Sequence, residues 1–87
     1  MTPVIIYTRD GCPYCTKAVN LLTKKGAKFT EYNNSKDGSY RAEMIAKSGR
    51  TTFPQIFIGA THVGGCDDIH ALNDSGKLDA LLSGKAA

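Results

Sequence analysis

Two cysteines separated by two residues, in the segment Cys12-Pro13-Tyr14-Cys15, lie where a strand pattern meets a helix pattern. Residues 4–8 (VIIYT) are β-branched and aromatic and end at Arg9-Asp10-Gly11, which predicts a buried strand followed by a turn. Pro13 suits the first turn of a helix, and Gly26 suits its C-terminal end. The chain must therefore fold with the cysteine pair at a strand-to-helix junction.

The rest of the sequence predicts an α/β fold. The spacing places Cys15, Ala18, Val19 and Leu22 on the buried face of the first helix. The further predicted elements are strands over 28–32, 55–58 and 61–63, helices over 39–48 and 66–73, and a last amphipathic piece with Leu78, Leu81 and Leu82. The helix over 39–48 is expected to bury Ala42, Ile45 and Ala46. Met44 in that helix and Phe57 in the strand over 55–58 are also expected in the core.

These elements predict a four-stranded mixed sheet flanked by helices. The strand–helix–strand unit at the start should form a right-handed parallel crossover. Gly59-Ala60 suits a two-residue hairpin turn with glycine first, so the last two strands should be antiparallel. A chain of 87 residues, 41% hydrophobic and 22% charged, predicts a single globular domain over 1–87.

Composition also narrows the partners and the compartment. The apolar run of residues 4–7 is too short for a signal-peptide core, and no run of about 20 apolar residues suggests a membrane span. Residues 1–50 carry nine Lys/Arg and four Asp/Glu, but the cations are dispersed, which argues against nucleic acid. The expectation is a cytoplasmic protein that binds neither membrane nor nucleic acid.

Three cysteines with one close pair indicate redox or metal chemistry in a reducing compartment. A zinc site needs about four ligands, and the other candidates are His62, Cys66 and His70. No second C-x-x-C and no closely spaced histidine pair completes the set, so no metal site is predicted. The two histidines are interpreted as surface or strand residues.

The start of the first helix favours an anion at Cys12, because the unpaired N–H groups and the helix dipole are positive there. Cysteines in such positions have pKa values lowered to roughly 3.5–7.5. Arg9 adds a cation if the turn folds back. Cys15 lies one turn further along on the buried face and should be the less exposed sulfur. This asymmetry predicts that Cys12 attacks and Cys15 resolves.

Three segments in this order resemble the glutaredoxins, particularly the small bacterial dithiol proteins. They are Cys12-Pro13-Tyr14-Cys15, the TTFP sequence of residues 51–54 and the GGCDD sequence of residues 64–68. The resemblance spans nearly the whole chain. It implies a thioredoxin-like fold in which Pro54 follows a cis peptide bond and faces the active cysteine. The residues alone favour a trans proline opening an edge strand, because cis bonds are rare.

The resemblance also implies a glutathione site. Thr52, Phe53 and Pro54 would form one wall, with the backbone N–H and C=O of Phe53 pairing with the ligand. Gly65 and the N–H groups of Cys66 and Asp67 would bind the γ-glutamyl carboxylate, as a helix N-terminus can. The acids and cations that complete the expected site are Asp67 or Asp68 for the ammonium group, Arg9 for the glycine carboxylate, Tyr14 over the thiol region and Arg50 as a second cation.

Several alternatives stay open at this point. Asp68 is either a ligand residue or an ordinary first-turn helix acid. Cys66 is a regulatory thiol, a third redox partner or simply a small residue at a helix start, and the last is favoured. A thioredoxin-like reductant served by a flavoprotein would share the cysteine pair. A binding module holding an iron–sulfur cluster between subunits is disfavoured by Pro13, since relatives of that kind usually have a smaller residue there.

The expected function is reduction of glutathione mixed disulfides and protein disulfides by a glutathione-dependent oxidoreductase. Glutathione would be a co-substrate, with no permanently bound cofactor. The expected partners are glutathionylated or disulfide-containing proteins, with ribonucleotide reductase, an electron acceptor for some relatives, as one candidate. A monomer is expected.

Overall fold

The computed structural model describes residues 2–84, which form four strands and four helices. In chain order these are β1 (Val4–Thr8), α1 (Pro13–Lys24), β2 (Phe29–Asn33), α2 (Ser39–Ser48), β3 (Gln55–Ile58), β4 (Thr61–Gly64), α3 (Cys66–Asp74) and α4 (Lys77–Ser83). Wherever the sequence predicted a boundary, the observed one lies within one residue of it. The local patterns therefore located the elements well.

The strands form one mixed sheet in the order β2-β1-β3-β4. β1 and β2 are parallel and are connected through α1, while β3 is antiparallel to both β1 and β4. Gly59 adopts a φ of 59° in the hairpin turn between β3 and β4, a conformation that glycine reaches without steric cost. The predicted four-stranded mixed sheet is confirmed.

Helices cover both faces of the sheet. Because successive side chains of a strand point to opposite faces, β1 and β3 each supply two sets of apolar side chains. Val4, Ile6, Ile56 and Ile58 join a core with residues of α1, α3 and α4. On the other face, Tyr7 and Phe57 pack in a second cluster with Met44 of α2, while Tyr7 also donates a 2.5 Å hydrogen bond to Glu43.

The buried face of α2 differs from the predicted one. Ala42 and Ala46 are exposed and Ile45 is only partly buried, whereas Met44 is fully buried as predicted. Since burial of a large apolar side chain removes more area from water than burial of alanine, the helix orients Met44 toward the sheet. A smaller correction concerns α1, where Leu21 is buried and Val19 is only half-buried.

The topology brings three loops to one edge of the sheet. β1 ends at this edge, β3 begins there because it is antiparallel to β1, and β4 ends there because it is antiparallel to β3. The cysteine segment, the segment before β3 and the start of α3 therefore meet, although they are far apart in sequence. Among the helices of residues 2–84, none is both long and apolar enough to cross a membrane.

Candidate active site

Cys12 is the N-cap of α1, and its sulfur has a backbone hydrogen-bond donor. The N–H of Cys15 donates to Cys12 Sγ over 3.2 Å. The first turn of α1 contains no acidic residue, so no carboxylate of that turn opposes negative charge on the sulfur. This environment stabilises a thiolate at Cys12 when the cysteine is reduced.

Cys12 and Cys15 are joined by a disulfide, with their Cα atoms 5.2 Å apart. The two residues are 5% and 3% exposed, so the predicted difference in exposure is very small in the oxidised form. Tyr14 between them is 57% exposed, and Lys17 Nζ lies 5.6 Å from the centre of its ring. The two cysteines are thus buried, while the tyrosine between them in sequence is exposed and has a cation near its ring.

The segment before β3 lies against the cysteine pair. The Phe53–Pro54 peptide bond is cis, as the resemblance implied and the residues alone did not. Cys12 Sγ lies 3.9 Å from the carbonyl oxygen of Phe53. Within residues 2–84, the N–H and C=O of Phe53 make no hydrogen bond to other backbone groups. This segment can therefore offer one donor and one acceptor to an extended ligand beside the sulfur.

A groove of about 210 Å³ adjoins this segment. It is lined by residues of the cysteine segment, of the turn before β3 and of the start of α3, namely Tyr14, Arg50, Thr52, Phe53, Pro54, Gly65, Cys66, Asp67 and Asp68. Of the residues named for the expected glutathione site, all except Arg9 lie here. The topology thus brings together residues that were assigned to one site only by resemblance.

The N-terminus of α3 forms one end of this groove. The first N–H groups of a helix have no partner within the helix, and this leaves those of Cys66 and Asp67 available to an anion. Asp68 caps the start of α3: its Oδ2 accepts a hydrogen bond from the N–H of Gly65 at 2.9 Å and lies 3.4 Å from Arg50 Nη1. This arrangement favours Asp68 as a first-turn helix acid. Asp67 is also exposed, and within residues 2–84 its carboxylate has no hydrogen bond or ion pair.

Cys66 is a free cysteine with a buried side chain. Burial raises the pKa of its thiol, the Asp67 carboxylate raises it further, and Lys17 opposes both effects. A thiol that is buried and hard to ionise is a poor nucleophile. The geometry therefore favours the interpretation of Cys66 as a small residue whose backbone, rather than sulfur, borders the groove.

Arg9 lies elsewhere. It lines a separate cavity of about 240 Å³ that Cys12 and Cys15 also border, and its Nη1 lies 3.4 Å from the carbonyl oxygen of Asp10. Arg50, predicted only as a second cation, lines the groove itself. The two guanidinium groups thus belong to different cavities, both of which adjoin the cysteine segment.

Gln55 and His62 were not predicted as part of the glutathione site, although Gln55 contacts the groove residue Thr52. Gln55 is fully buried, and its side chain bonds both Thr52 and His62. The signal in the sequence was a polar residue in the otherwise apolar strand QIFI, directly after a proline.

The metal alternative was considered for the cysteines and histidines. The described part of the chain contains no group of three or more His, Cys, Asp or Glu side chains placed to hold an ion.

Comparison with known proteins identifies a consistent set of relatives. The family model for glutaredoxin matches residues 4–63. A glutaredoxin of Pseudomonas aeruginosa is 58% identical over 95% of this chain and 99% of its own length, and glutaredoxin 3 of Escherichia coli is 54% identical over 94% and 99%.

Solved structures show the same likeness. The solution structure of glutaredoxin from Brucella melitensis is 60% identical and superposes with a TM-score of 0.82, covering 100% of this chain and 96% of that one. A crystal structure of a buckwheat glutaredoxin–glutathione complex is 27% identical with a TM-score of 0.86, covering 99% and 83%. The likeness includes proteins close in sequence and a more distant one captured with glutathione.

Proposed function

This chain belongs to the glutaredoxin family of thiol–disulfide oxidoreductases, and on that premise we propose that it uses glutathione to reduce glutathione mixed disulfides and protein disulfides. Cys12 is the attacking sulfur, and it is freed either by Cys15 or by glutathione. We assign the catalytic activity to a single domain over residues 1–87.

One observation carries this proposal: the Cys12–Cys15 disulfide lies at the start of α1, in contact with the backbone of Phe53. The Cys15 N–H that donates to Cys12 Sγ stabilises a thiolate at that sulfur without a histidine base. The thiolate is the nucleophile in disulfide exchange, so the cysteine whose thiolate is better stabilised is the first to attack. Cys15, which donates that N–H, is close enough to attack Cys12 in turn.

The glutathione site that we propose is the groove between Tyr14 and the start of α3. Its hydrogen-bonding groups suit an extended peptide: Phe53 offers an N–H and a C=O, and the start of α3 offers N–H groups for a carboxylate. Asp67 is the acid available for the ligand's ammonium group, because it is exposed and Asp68 is already paired with Gly65 and Arg50. The buckwheat glutaredoxin–glutathione complex supports glutathione as the ligand of this fold.

Further contacts complete the proposed site. Thr52, Pro54 and Tyr14 line the groove. In the proposed complex Thr52 and Pro54 border the peptide backbone of the ligand, and Tyr14 lies over the thiol region. Arg9, which borders the cavity containing Cys12, supplies charge for the glycine carboxylate as that end of glutathione extends past the cysteine. Arg50 is partly neutralised by Asp68 and contributes less.

In the first route, the substrate is a protein thiol bonded to glutathione. Cys12 thiolate attacks the sulfur of the glutathione half, the old disulfide breaks, and the protein leaves as a thiolate that takes a proton. Cys12 is then bonded to glutathione. A second glutathione thiolate attacks that glutathione sulfur, which releases oxidised glutathione and regenerates the Cys12 thiolate. The net reaction converts one mixed disulfide and one glutathione thiol into one protein thiol and one molecule of oxidised glutathione.

In the second route, the substrate is a protein disulfide. Cys12 thiolate attacks one of its sulfurs and forms a mixed disulfide, and Cys15 thiolate then attacks Cys12 Sγ. The substrate leaves with both thiols reduced, and Cys12 and Cys15 are bonded as in this structure. Two glutathione molecules reduce that bond in sequence and leave as one molecule of oxidised glutathione.

The same proposal covers partners and compartment. Glutathione is a co-substrate, so the chemistry requires no permanently bound cofactor. The protein works as a monomer on glutathionylated or disulfide-containing proteins, with ribonucleotide reductase as a candidate acceptor. The cytoplasm suits it, because its glutathione pool is held strongly reducing.

The test is turnover of a small glutathione mixed disulfide with glutathione as the only reductant, coupled to glutathione reductase. We expect turnover that saturates with the mixed disulfide. A protein that accepted electrons directly from a flavoprotein reductase, and showed no turnover with glutathione, would be a thioredoxin-like reductant instead. An absorbance spectrum of freshly isolated protein tests the cluster alternative, since a bound iron–sulfur cluster absorbs in the visible range.

A further inference from the structure

Gln55 is a polar side chain in a place where an apolar one would be expected. It opens β3, it is fully buried, and the three residues that follow it are all apolar. Burying an amide costs free energy unless its donors and acceptors are paired. Here they are paired: Nε2 lies 3.1 Å from the carbonyl oxygen and 3.2 Å from the hydroxyl of Thr52, and Oε1 lies 2.7 Å from His62 Nε2.

The chemistry of these partners fixes the direction of every hydrogen bond. The Thr52 carbonyl can only accept, so the Gln55 atom that faces it must be the NH₂ group. The oxygen of Gln55 therefore faces His62, and His62 Nε2 must carry a proton and donate. The imidazole is held in place by stacking on Phe57, with ring centroids 4.9 Å apart. His62 thus fixes the orientation of Gln55, and Gln55 fixes Thr52.

The Thr52 carbonyl is also one half of a peptide group that borders the groove. A trans peptide group is planar, with C=O and N–H pointing in opposite directions. A hydrogen bond that holds the Thr52 carbonyl toward Gln55 therefore also sets the direction of the Phe53 N–H. That N–H is the donor that the proposed function assigns to the backbone of glutathione. Thr52 and Phe53 both line the groove, whereas Gln55 and His62 do not.

We propose that Gln55, oriented by His62, is a positioning residue that holds the Thr52–Phe53 peptide group in the direction required to bind the glutathione half of the substrate. The inference rests on the proposed function, because it concerns the same groove. It adds two residues outside the groove to the determinants of glutathione affinity. Neither residue touches the reacting sulfur, so their effect is on binding rather than on thiol exchange.

The two side chains have separate matched substitutions. Gln55→Met keeps the length and apolar body of the side chain and removes both hydrogen bonds to Thr52. His62→Phe keeps an aromatic ring on Phe57 and removes only the donor to Gln55; because His62 is exposed, this variant should fold even if Gln55→Met does not. Thr61→Val, on the same strand and exposed, is the control.

We expect Gln55→Met to raise the KM for a small glutathione mixed disulfide about fivefold to tenfold, as loss of one oriented hydrogen bond would, with kcat within about twofold. His62→Phe should raise KM about twofold to fivefold, because Gln55 keeps its donors but loses its anchor. The rate of Cys12 alkylation by iodoacetamide should be unchanged in both. The backbone ¹⁵N signal of Phe53 and the ¹³C signal of the Thr52 carbonyl should shift in the free variants and not in Thr61→Val.

The inference is overturned if both variants have the KM of the unmodified protein within about twofold and leave the Phe53 and Thr52 signals in place. It is equally overturned if kcat falls while KM does not change, since that result would indicate a role in the exchange step. Failure of the proposed function would look different: the unmodified protein itself would then show no turnover with glutathione as the reductant.

Discussion

Cys12 and Cys66 both stand at the beginning of a helix that follows a strand, yet their surroundings differ. Cys12 is the N-cap of α1, and its sulfur receives the N–H of Cys15. Cys66 is the first residue of α3, its thiol is buried, and its pKa is raised first by that burial and then by Asp67. At the start of α1, a backbone N–H donates to the Cys12 sulfur. At the start of α3, the first N–H groups border the groove.

From this difference we expect only one of the two helix N-termini to carry a reactive cysteine. The first turn of α1 has no acid, whereas that of α3 has both Asp67 and Asp68. Carboxylates beside a thiol oppose its ionisation, and burial opposes it further. The positive end of α3 therefore remains available to a carboxylate from outside, while that of α1 serves its own sulfur.

The largest effect is expected from Cys12→Ser, for which Cys66→Ser at the other helix start is the matched comparison. Cys12→Ser should reduce both activities by about a thousandfold or more, because a serine hydroxyl neither ionises near neutral pH nor forms a disulfide. Cys66→Ser should keep most of the activity, because the proposed contact uses its backbone. Turnover of a glutathione mixed disulfide and of a protein disulfide measures both. Equal loss in the two variants would make Cys66 a redox participant and remove the contrast.

Cys15→Ser should separate the two routes. Glutathione attacks the Cys12 adduct from outside, so turnover of a glutathione mixed disulfide should stay within about threefold of the unmodified protein. Reduction of protein disulfides should fall about tenfold or more, because Cys15 no longer displaces the bound substrate. Mass spectrometry should detect a Cys12–glutathione adduct. Loss of both activities would contradict the one-cysteine route and favour a thioredoxin-like reductant.

Alkylation as a function of pH should sharpen the comparison at the level of ionisation. In the reduced Cys15→Ser protein, Cys12 should reach half its maximal alkylation rate at a pH well below about 8.5, which is the usual pKa of a free thiol. Cys66 should react only at higher pH, since a raised pKa means less thiolate at any given pH. Adding Cys66→Ser should remove the slow phase alone. A single phase near pH 8.5 for both thiols would show that the two helix starts are equivalent.

A smaller effect than those of the cysteine substitutions is expected at Asp67. Asp67→Lys places a cation beside the proposed site of the ligand's ammonium group, and we expect the KM for a glutathione mixed disulfide to rise about threefold to tenfold. It should also lower the pKa of Cys66, because the Asp67 carboxylate is one of the causes that raise it. Asp74→Lys, at the other end of α3, is the matched control for net charge. An equal rise in both variants would indicate a general charge effect.

Local patterns predicted most of the secondary structure. The helix over 39–48 and the strand over 55–58 were predicted with their observed bounds. Glycines at positive φ, such as Gly49 at 71°, end elements for reasons that are visible in the sequence. The orientation of α2 was not predictable in the same way, since Ala42, Met44 and Ala46 are all apolar and only the sheet decides which of them it covers.

The site was predictable in part. The motifs identified the cysteine pair and the groove residues, and the structure brings all the proposed ligand contacts except Arg9 into one groove. Arg9 borders a different cavity, because the direction of a long side chain after a turn is not encoded by its spacing from Cys12. The Gln55–His62 contact was missed, since it depends on the pairing of β3 with β4.

The sequence by itself determined that a cysteine pair opens a helix after a buried strand, because apolar periodicity, Pro13 and Gly26 act over a few residues. Only the tertiary structure decided which distant groups surround that pair. Phe53 lies 41 residues from Cys12 in sequence, and the antiparallel pairing of β1 with β3 is what brings its carbonyl oxygen within 3.9 Å of the Cys12 sulfur. Local interactions place an element along the chain, but contacts between elements depend on how the whole sheet pairs and packs.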